Sequence, residues 1–350
     1  AVGRHAEALT AEQQAVEIRH RLAAGNPAAY EPDLAASLSN LGSFLSAVGR
    51  HMEALTATEQ AVETYRRLAA GNPAAYEPDL AVSLSNLGIW LSAVGRRAEA
   101  LTATEQAVEI RHRLAADNLA AYEPDLAASL SNLGADLSAV GRHAEALTAE
   151  QQAVEIRHRL AAGNPAAYEP GLAVSLSNLG SFLSAVGRRA EALTATEQAL
   201  EIWHRLAADN LAAYEPDLAT VLSNLGALLS AVGCRAEALT AEQQAVEIRH
   251  RLAADNLAAY GPGLAVSLSN LGSFLLAVGR RAEALTATEQ AVEIYRRLIS
   301  ERSDQLLFLS PLRAVLSLQV EVLISLGRLQ DAQTVRDWLA ANPGQPDSHK

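Results

Sequence analysis

Hydrophobic positions in this chain recur on a helical period. Within residues 32–48, Leu34, Leu38, Leu41, Leu45 and Val48 fall on one narrow stripe, the pattern of an amphipathic helix. Within residues 50–70, Ala54, Leu55, Ala61, Val62 and Leu68 define a second buried stripe. The punctuation between them fits two helices. Pro32 suits a first helical turn, where its missing N–H is not needed. Gly49 suits a helix end in the left-handed conformation, and Gly71-Asn72-Pro73 stops the second helix.

The pair then returns in fixed register. Tyr30-Glu31-Pro32-Asp33-Leu34 comes back at Tyr76, 46 residues later, and again at the same spacing with Tyr122, Tyr168, Tyr214 and Tyr260, glycine replacing acidic residues in the Tyr168 and Tyr260 copies. The turn glycine keeps step as Gly3, Gly49, Gly95, Gly141, Gly187, Gly233 and Gly279. Residues 1–50 and 139–188 differ only at Asp33/Gly171 and Ala36/Val174, the mark of a duplicated three-repeat block. Residues 1–300 therefore read as a half repeat plus six full repeats. Residues 301–341 read as a diverged capping pair, with helices over 303–326 and 328–340. Two extra residues precede Gly327 there, and Leu318 and Gln319 stand where earlier copies have Asn270 and Leu271. Residues 342–350 read as a disordered tail. Such units stack to bury what one pair cannot bury alone, which makes the chain an all-α solenoid of antiparallel helix pairs. Gly42, Gly88, Gly134, Gly180, Gly226 and Gly272 sit mid-helix, where glycine costs about 1 kcal/mol relative to alanine. The recurrence predicts a close approach of two helix backbones at that point.

Leu41-Gly42, Leu45, Gly49, Ala54 and Ala61, repeated in every full copy, resemble the tetratricopeptide repeat family. The long period and the Asn40-Leu41-Gly42 segment are similar to its kinesin-light-chain-like branch. The resemblance spans residues 1–341. It implies a right-handed superhelical solenoid that binds proteins and is not an enzyme. The chain departs from the family in having Thr58 or Glu12 where a large aromatic is usual, and in exceeding the usual unit of about 34 residues. Similar bacterial arrays sit beside switch ATPases or caspase-like proteases. A second reading is therefore the sensor or regulatory arm of a larger signalling protein whose N-terminal part precedes Ala1. A self-assembling array is a third.

With the leucine stripe turned inward, Ala36, Ser39, Asn40, Ser43, Ser46 and Ala47 point the other way. The resemblance places that face along a concave groove. Asn40 recurs as Asn86, Asn132, Asn178, Asn224 and Asn270. An amide both donates and accepts, so this row can grip the backbone of a peptide, or it can bond neighbouring helices and align the stack. Four residues beyond each asparagine the chain varies most: Phe44, Trp90, Asp136, Phe182, Leu228 and Phe274. A site that takes both Trp90 and Asp136 is expected to be partly exposed, because an unpaired buried charge is costly. It is a candidate for side-chain selection beside the amides. A second variable row, Arg19, Tyr65, Arg111, Arg157, Trp203, Arg249 and Tyr295, reads as half-covered packing.

Composition narrows the function further. The net charge is −12, which opposes binding to phosphate backbones or anionic membranes. No run of about 18 apolar residues and no signal peptide is apparent. Cys234 is the sole cysteine, which suits a reducing cytoplasm. Abundant alanine and arginine, with Lys350 the sole lysine, suggest a GC-rich bacterium. His20, His112, His158, His204 and His250 lie one per repeat, too far apart for a shared metal. The recurring glutamates Glu53, Glu59 and Glu63 form a charged face, and no phosphate-binding, zinc-protease or hydrolase motif occurs. No cofactor is expected.

Overall fold

The computed structural model describes residues 2–301 and 306–342, and nearly all of them are helical. The chain divides into two compact units, Ala1–Val186 and Gly187–Lys350. Unit 1 holds α1 (Val2–Gly25), α2 (Pro27–Ala47), α3 (His51–Gly71), α4 (Pro73–Ala93), α5 (Arg97–Asp117), α6 (Leu119–Ala139), α7 (His143–Gly163) and α8 (Pro165–Ala185). Unit 2 holds α9 (Arg189–Asp209), α10 (Leu211–Ala231), α11 (Arg235–Asp255), α12 (Leu257–Ala277), α13 (Arg281–Glu301), α14 (Leu306–Ser325) and α15 (Leu329–Ala341). Among the described residues there is no strand. Within each unit every helix packs on its chain neighbours, and α2, α4, α6 and α8 also touch in sequence, as do α10, α12 and α14. This is the expected all-α stack of helix pairs. The expected tail from residue 343 onward lies outside the described residues.

The first helix of each pair starts earlier than expected. α2 begins at Pro27, and Pro32 lies inside it at the loss of one backbone hydrogen bond. A single residue, Asn26, separates α1 from α2, and its carbonyl accepts from the Tyr30 N–H at 3.2 Å. Asn118, Asn164, Asn210 and Asn256 also cap through the side chain, accepting from the backbone N–H three residues on. The asparagine read as a stop signal is therefore also the start of the next helix. At the other end of α2 the turn is as expected. Gly49 has φ 79°, and the Arg50 N–H donates to the Leu45 carbonyl at 2.9 Å, closing the wide loop of a Schellman cap. Val48 is the exception on the leucine stripe: it follows the last turn and is 40% exposed.

The core runs between the two stripes. Leu34, Leu38, Leu41 and Leu45 pack with Ala54, Ala57 and Ala61. Each leucine so buried contributes about 1.5–3 kcal/mol over an exposed one. The mid-helix glycines mark the close approach. A Cβ on Gly42 would stand 3.2 Å from the Ala54 carbonyl oxygen, and one on Gly134 would stand 3.3 Å from that of Ala146. Side chains crowd the same point, namely Thr58 at Gly42 and Glu150 at Gly134. In unit 2, α14 corrects one expectation. Its stretch Phe308–Ser325 is long and apolar enough to cross a membrane by composition. Here it packs into the core through Leu312, Val315, Leu316, Val322 and Leu323.

Candidate functional site

The face opposite the leucines is open. In α2, Asp33, Ala36, Asn40, Ser43 and Ala47 are exposed, while Ser39 and Ser46 are half-buried. These positions recur on α4, α6 and α8, so unit 1 presents four such strips side by side. Serine hydroxyls join them: Ser39 to Ser83 at 3.4 Å, Ser85 to Ser129 at 3.3 Å and Ser131 to Ser175 at 3.2 Å. Small polar side chains let the helices approach without leaving buried groups unpaired. Val82, Ile89 and Val174 add exposed aliphatic surface beside the amides. Asn40 is exposed, and Asn86, Asn132 and Asn178 are half-buried. Among the described residues, none of these four side chains hydrogen-bonds to the protein. In unit 2, Asn224 and Asn270 are half-buried.

The variable row faces the preceding helix pair more than the solvent. The Phe182 ring edge lies 3.0 Å from where a Cβ on Gly134 would stand, and that of Phe274 lies 3.4 Å from the same point at Gly226. Phe44, Trp90, Phe182 and Phe274 are half-buried. The expectation of exposure fails for Leu228 and Asp136, each 7% exposed. Asp136 is buried because it is satisfied. Its carboxylate accepts from Thr104 Oγ1 at 2.6 Å and Ser92 Oγ at 3.0 Å, and burial nevertheless holds its pKa above the usual value. It is a contact within the stack, not a free selector. Asp136→Leu copies the combination of Thr196 with Leu228. It is expected to raise the stability of unit 1 by about 1–2 kcal/mol at pH 7, measured by urea unfolding.

The second variable row is also more buried than expected. Tyr65, Arg111, Trp203 and Tyr295 are buried, and Arg19, Arg157 and Arg249 are half-buried. The Tyr65 hydroxyl has its pKa pushed up to about 12, first by burial and then by the nearby carboxylates of Asp79 and Asp33. Arg111 pairs with Asp125 at 2.9 Å. Arg157 serves a buried glutamate that sequence reasoning missed. Glu150 is 0% exposed. Ser131 Oγ donates to Glu150 Oε1 at 3.0 Å, while Arg157 Nη1 donates to Ser131 Oγ at 2.8 Å and also to Ser175. The second carboxyl oxygen, Oε2, is buried with no partner. Burial raises the pKa of Glu150 against the pull of Ser175, Ser131 and Arg157. Glu242, Ser223, Ser267 and Arg249 repeat the arrangement in unit 2.

A sequence signal for this network exists. Glu12, Glu150 and Glu242 are each followed seven residues on by Arg19, Arg157 and Arg249, and thirty-two residues on by Phe44, Phe182 and Phe274. Copies with threonine at the first position carry other residues at the third: Trp90, Asp136 and Leu228. The first and third positions vary together around the glycine, and an arginine accompanies each glutamate although Arg111 also follows Thr104.

Other chemistry is sparse. Among the described residues no three His, Cys, Asp or Glu side chains gather in a way that could hold a metal ion. Cys234 is exposed at a turn where sister repeats place an arginine such as Arg96, which binds Glu99 at 2.7 Å and Glu59 at 3.3 Å. Shallow grooves of about 510 Å³ between α3 and α5 and 300 Å³ between α5 and α7 are crossed by such bridges.

The tetratricopeptide repeat family profile matches residues 33–113, 79–158, 171–251 and 264–303. No curated protein matches the chain in sequence. Among solved structures, BtubC (BKLC) from P. vanneervenii is similar at 23% identity, covering 71% of this chain and 91% of that one, with a TM-score of 0.55. A putative kinesin light chain of Podosopora anserina, with nearly identical TPR-like repeats, is 25% identical over 62% of this chain and 95% of its own, with a TM-score of 0.48. The apo form of RapI is 13% identical over 84% of this chain and 99% of its own, with a TM-score of 0.53.

Proposed function

The chain belongs to the tetratricopeptide repeat family, a family of protein-interaction scaffolds, and from that premise we propose that unit 1 binds a peptide segment of a partner protein across α2, α4, α6 and α8. The observation that carries this reading is the exposed strip on those helices, where four asparagine side chains without protein partners stand beside Val82, Ile89 and Val174. Unsatisfied amides next to exposed aliphatic side chains suit an extended segment. The amides hold its backbone and the apolar surface takes its side chains. The half-buried edges of Phe44, Trp90 and Phe182 border the strip and add local preference, whereas Asp136 is committed to Thr104 and Ser92. In unit 2, Phe274, Asn224 and Asn270 occupy equivalent places.

Affinity capture from a lysate tests the reading, comparing the native chain with a variant carrying Asn86→Ala, Asn132→Ala and Asn178→Ala. The three side chains are half-buried and unbonded, so the variant is expected to keep its helical circular dichroism and to lose the captured partner. Equal capture by both forms would move the site away from this face.

A further inference from the structure

The charge on the open face is one-sided. α2, α4, α6 and α8 carry no lysine, arginine or histidine at all, and their charged residues are exclusively aspartate and glutamate. Most of these carboxylates are engaged. Glu31 pairs with Arg67 at 3.0 Å and Glu77 with Arg113 at 2.7 Å, Glu123 pairs with Arg159, and Asp125 is held by Arg111 at 2.9 Å. Asp33 and Asp79 are exposed and form no ion pair among the described residues. They stand at the same position on neighbouring helices, at one end of the strips that bear Asn40 and Asn86.

The spacing of this pair selects a partner geometry. Packed helices lie about 8–10 Å apart, and the serine contacts between α2 and α4 place these two in direct packing. A polyproline-II segment rises about 3.1 Å per residue with three residues per turn, so it presents the same side about every 9.3 Å. A segment of that form crossing the helices meets each strip in the same orientation, and residues three apart face Asp33 and Asp79. Resting on the proposed peptide role of this face, we infer that its ligand is an extended, polyproline-II-like segment bearing arginine or lysine three residues apart. Its cationic side chains pair with Asp33 and Asp79, and its backbone lies along the asparagine row.

Fluorescence anisotropy with labelled twelve-residue peptides tests this at low salt, where exposed charge pairs are least screened. The probes are four copies of Pro-Pro-Arg, four copies of Pro-Pro-Gln, and two copies of Pro-Arg-Arg-Pro-Pro-Pro, which keeps the charge and alters the spacing. The first peptide is expected to bind about tenfold tighter than either of the others. Asp33→Asn with Asp79→Asn is expected to abolish that preference and leave the glutamine peptide unchanged. Glu109→Gln with Glu155→Gln, which removes the same charge from exposed positions on α5 and α7, is expected to preserve it. Equal binding of the arginine and glutamine peptides, indifference to arginine spacing, a preference that survives loss of both aspartates, or no binding of any probe would overturn the inference. If the asparagine variant still loses its captured partner, the peptide role of the face stands without it. If that capture is unchanged, the peptide role itself falls.

Discussion

Arg157→Met is expected to destabilise unit 1 by about 2–3 kcal/mol at pH 7.5 and by under about 1 kcal/mol at pH 4.5. Arg157 is the cation nearest Glu150, acting through Ser131 and Ser175. Without it the buried carboxylate is left uncompensated or must take up a proton. For a carboxyl with an ordinary value of 4.5, protonation at pH 7 costs about 3.4 kcal/mol, which sets a ceiling on the loss. The sign follows from the direction of the shift. Glu150 has a folded pKa above its unfolded one, so the folded state binds its proton more tightly. The contribution of Glu150 to stability is therefore greatest below pH 4.5 and declines as pH rises from there through the raised folded value. Removing the arginine lifts that value further and steepens the decline. Urea unfolding of native and variant chains between pH 4.5 and 8 measures it. A triple change of Glu150→Thr, Arg157→Tyr and Phe182→Trp, which installs the set found as Thr58, Tyr65 and Trp90, is expected to restore stability to within about 1 kcal/mol. It is also expected to flatten the pH dependence. A triple variant no better than Arg157→Met would show that the three positions are not one unit.

Gly134→Val is expected to cost unit 1 about 3 kcal/mol, and Gly134→Ala close to nothing. Any Cβ at residue 134 meets the Phe182 ring at 3.0 Å and the Ala146 carbonyl at 3.3 Å. Overpacking of this kind costs about 1–3 kcal/mol, and the two branches of valine meet both obstacles. For alanine the gain in helix propensity, about 1 kcal/mol, offsets the milder crowding. Phe182→Leu opens the site from the other side and is expected to recover about half of the loss in Gly134→Val. Hydrogen exchange at α6, α7 and α8 locates the effect. Full stability of Gly134→Val would mean that the backbones are free to separate.

The leucine stripe, the turn glycines and the mid-helix glycines were legible because each is stated by one residue type at one position. Glycine 49 needs no partner to announce a left-handed turn, and Gly42 recurs at a helical position where it lowers stability unless a neighbour is close. What was not legible depended on pairs. Asp136 looked exposed because a lone buried carboxylate is unfavourable, and the residues that satisfy it, Thr104 and Ser92, lie thirty-two and forty-four residues upstream. Ser37 is fully buried although a helical wheel places it at the edge of the stripe, because Arg19 donates to it. The early start of α2 was hidden because Pro32 is an adequate first-turn residue and Asn26 an adequate stop. Of the candidate site, the asparagine strip followed from periodicity. The acidic pair Asp33 and Asp79 did not, because their significance rests on which neighbouring carboxylates arginine already occupies.

The linked set around each glycine also defines what can be exchanged intact between copies. Glu150 and Arg157 lie on α7, but Phe182 lies on α8, beyond the asparagine that begins the next pair. A crossover at Asn164 would divide the set and bring glutamate against tryptophan, or threonine against phenylalanine. A crossover at the glycine turns, Gly141 or Gly187, would carry all three residues together. The heritable module is thus a second helix with the first helix that follows it, offset by half a repeat from the hairpin that the eye assigns. Arrays lengthened, shortened or recombined in that frame keep each buried glutamate with its own arginine and phenylalanine, so repeat number can drift without mismatching that set.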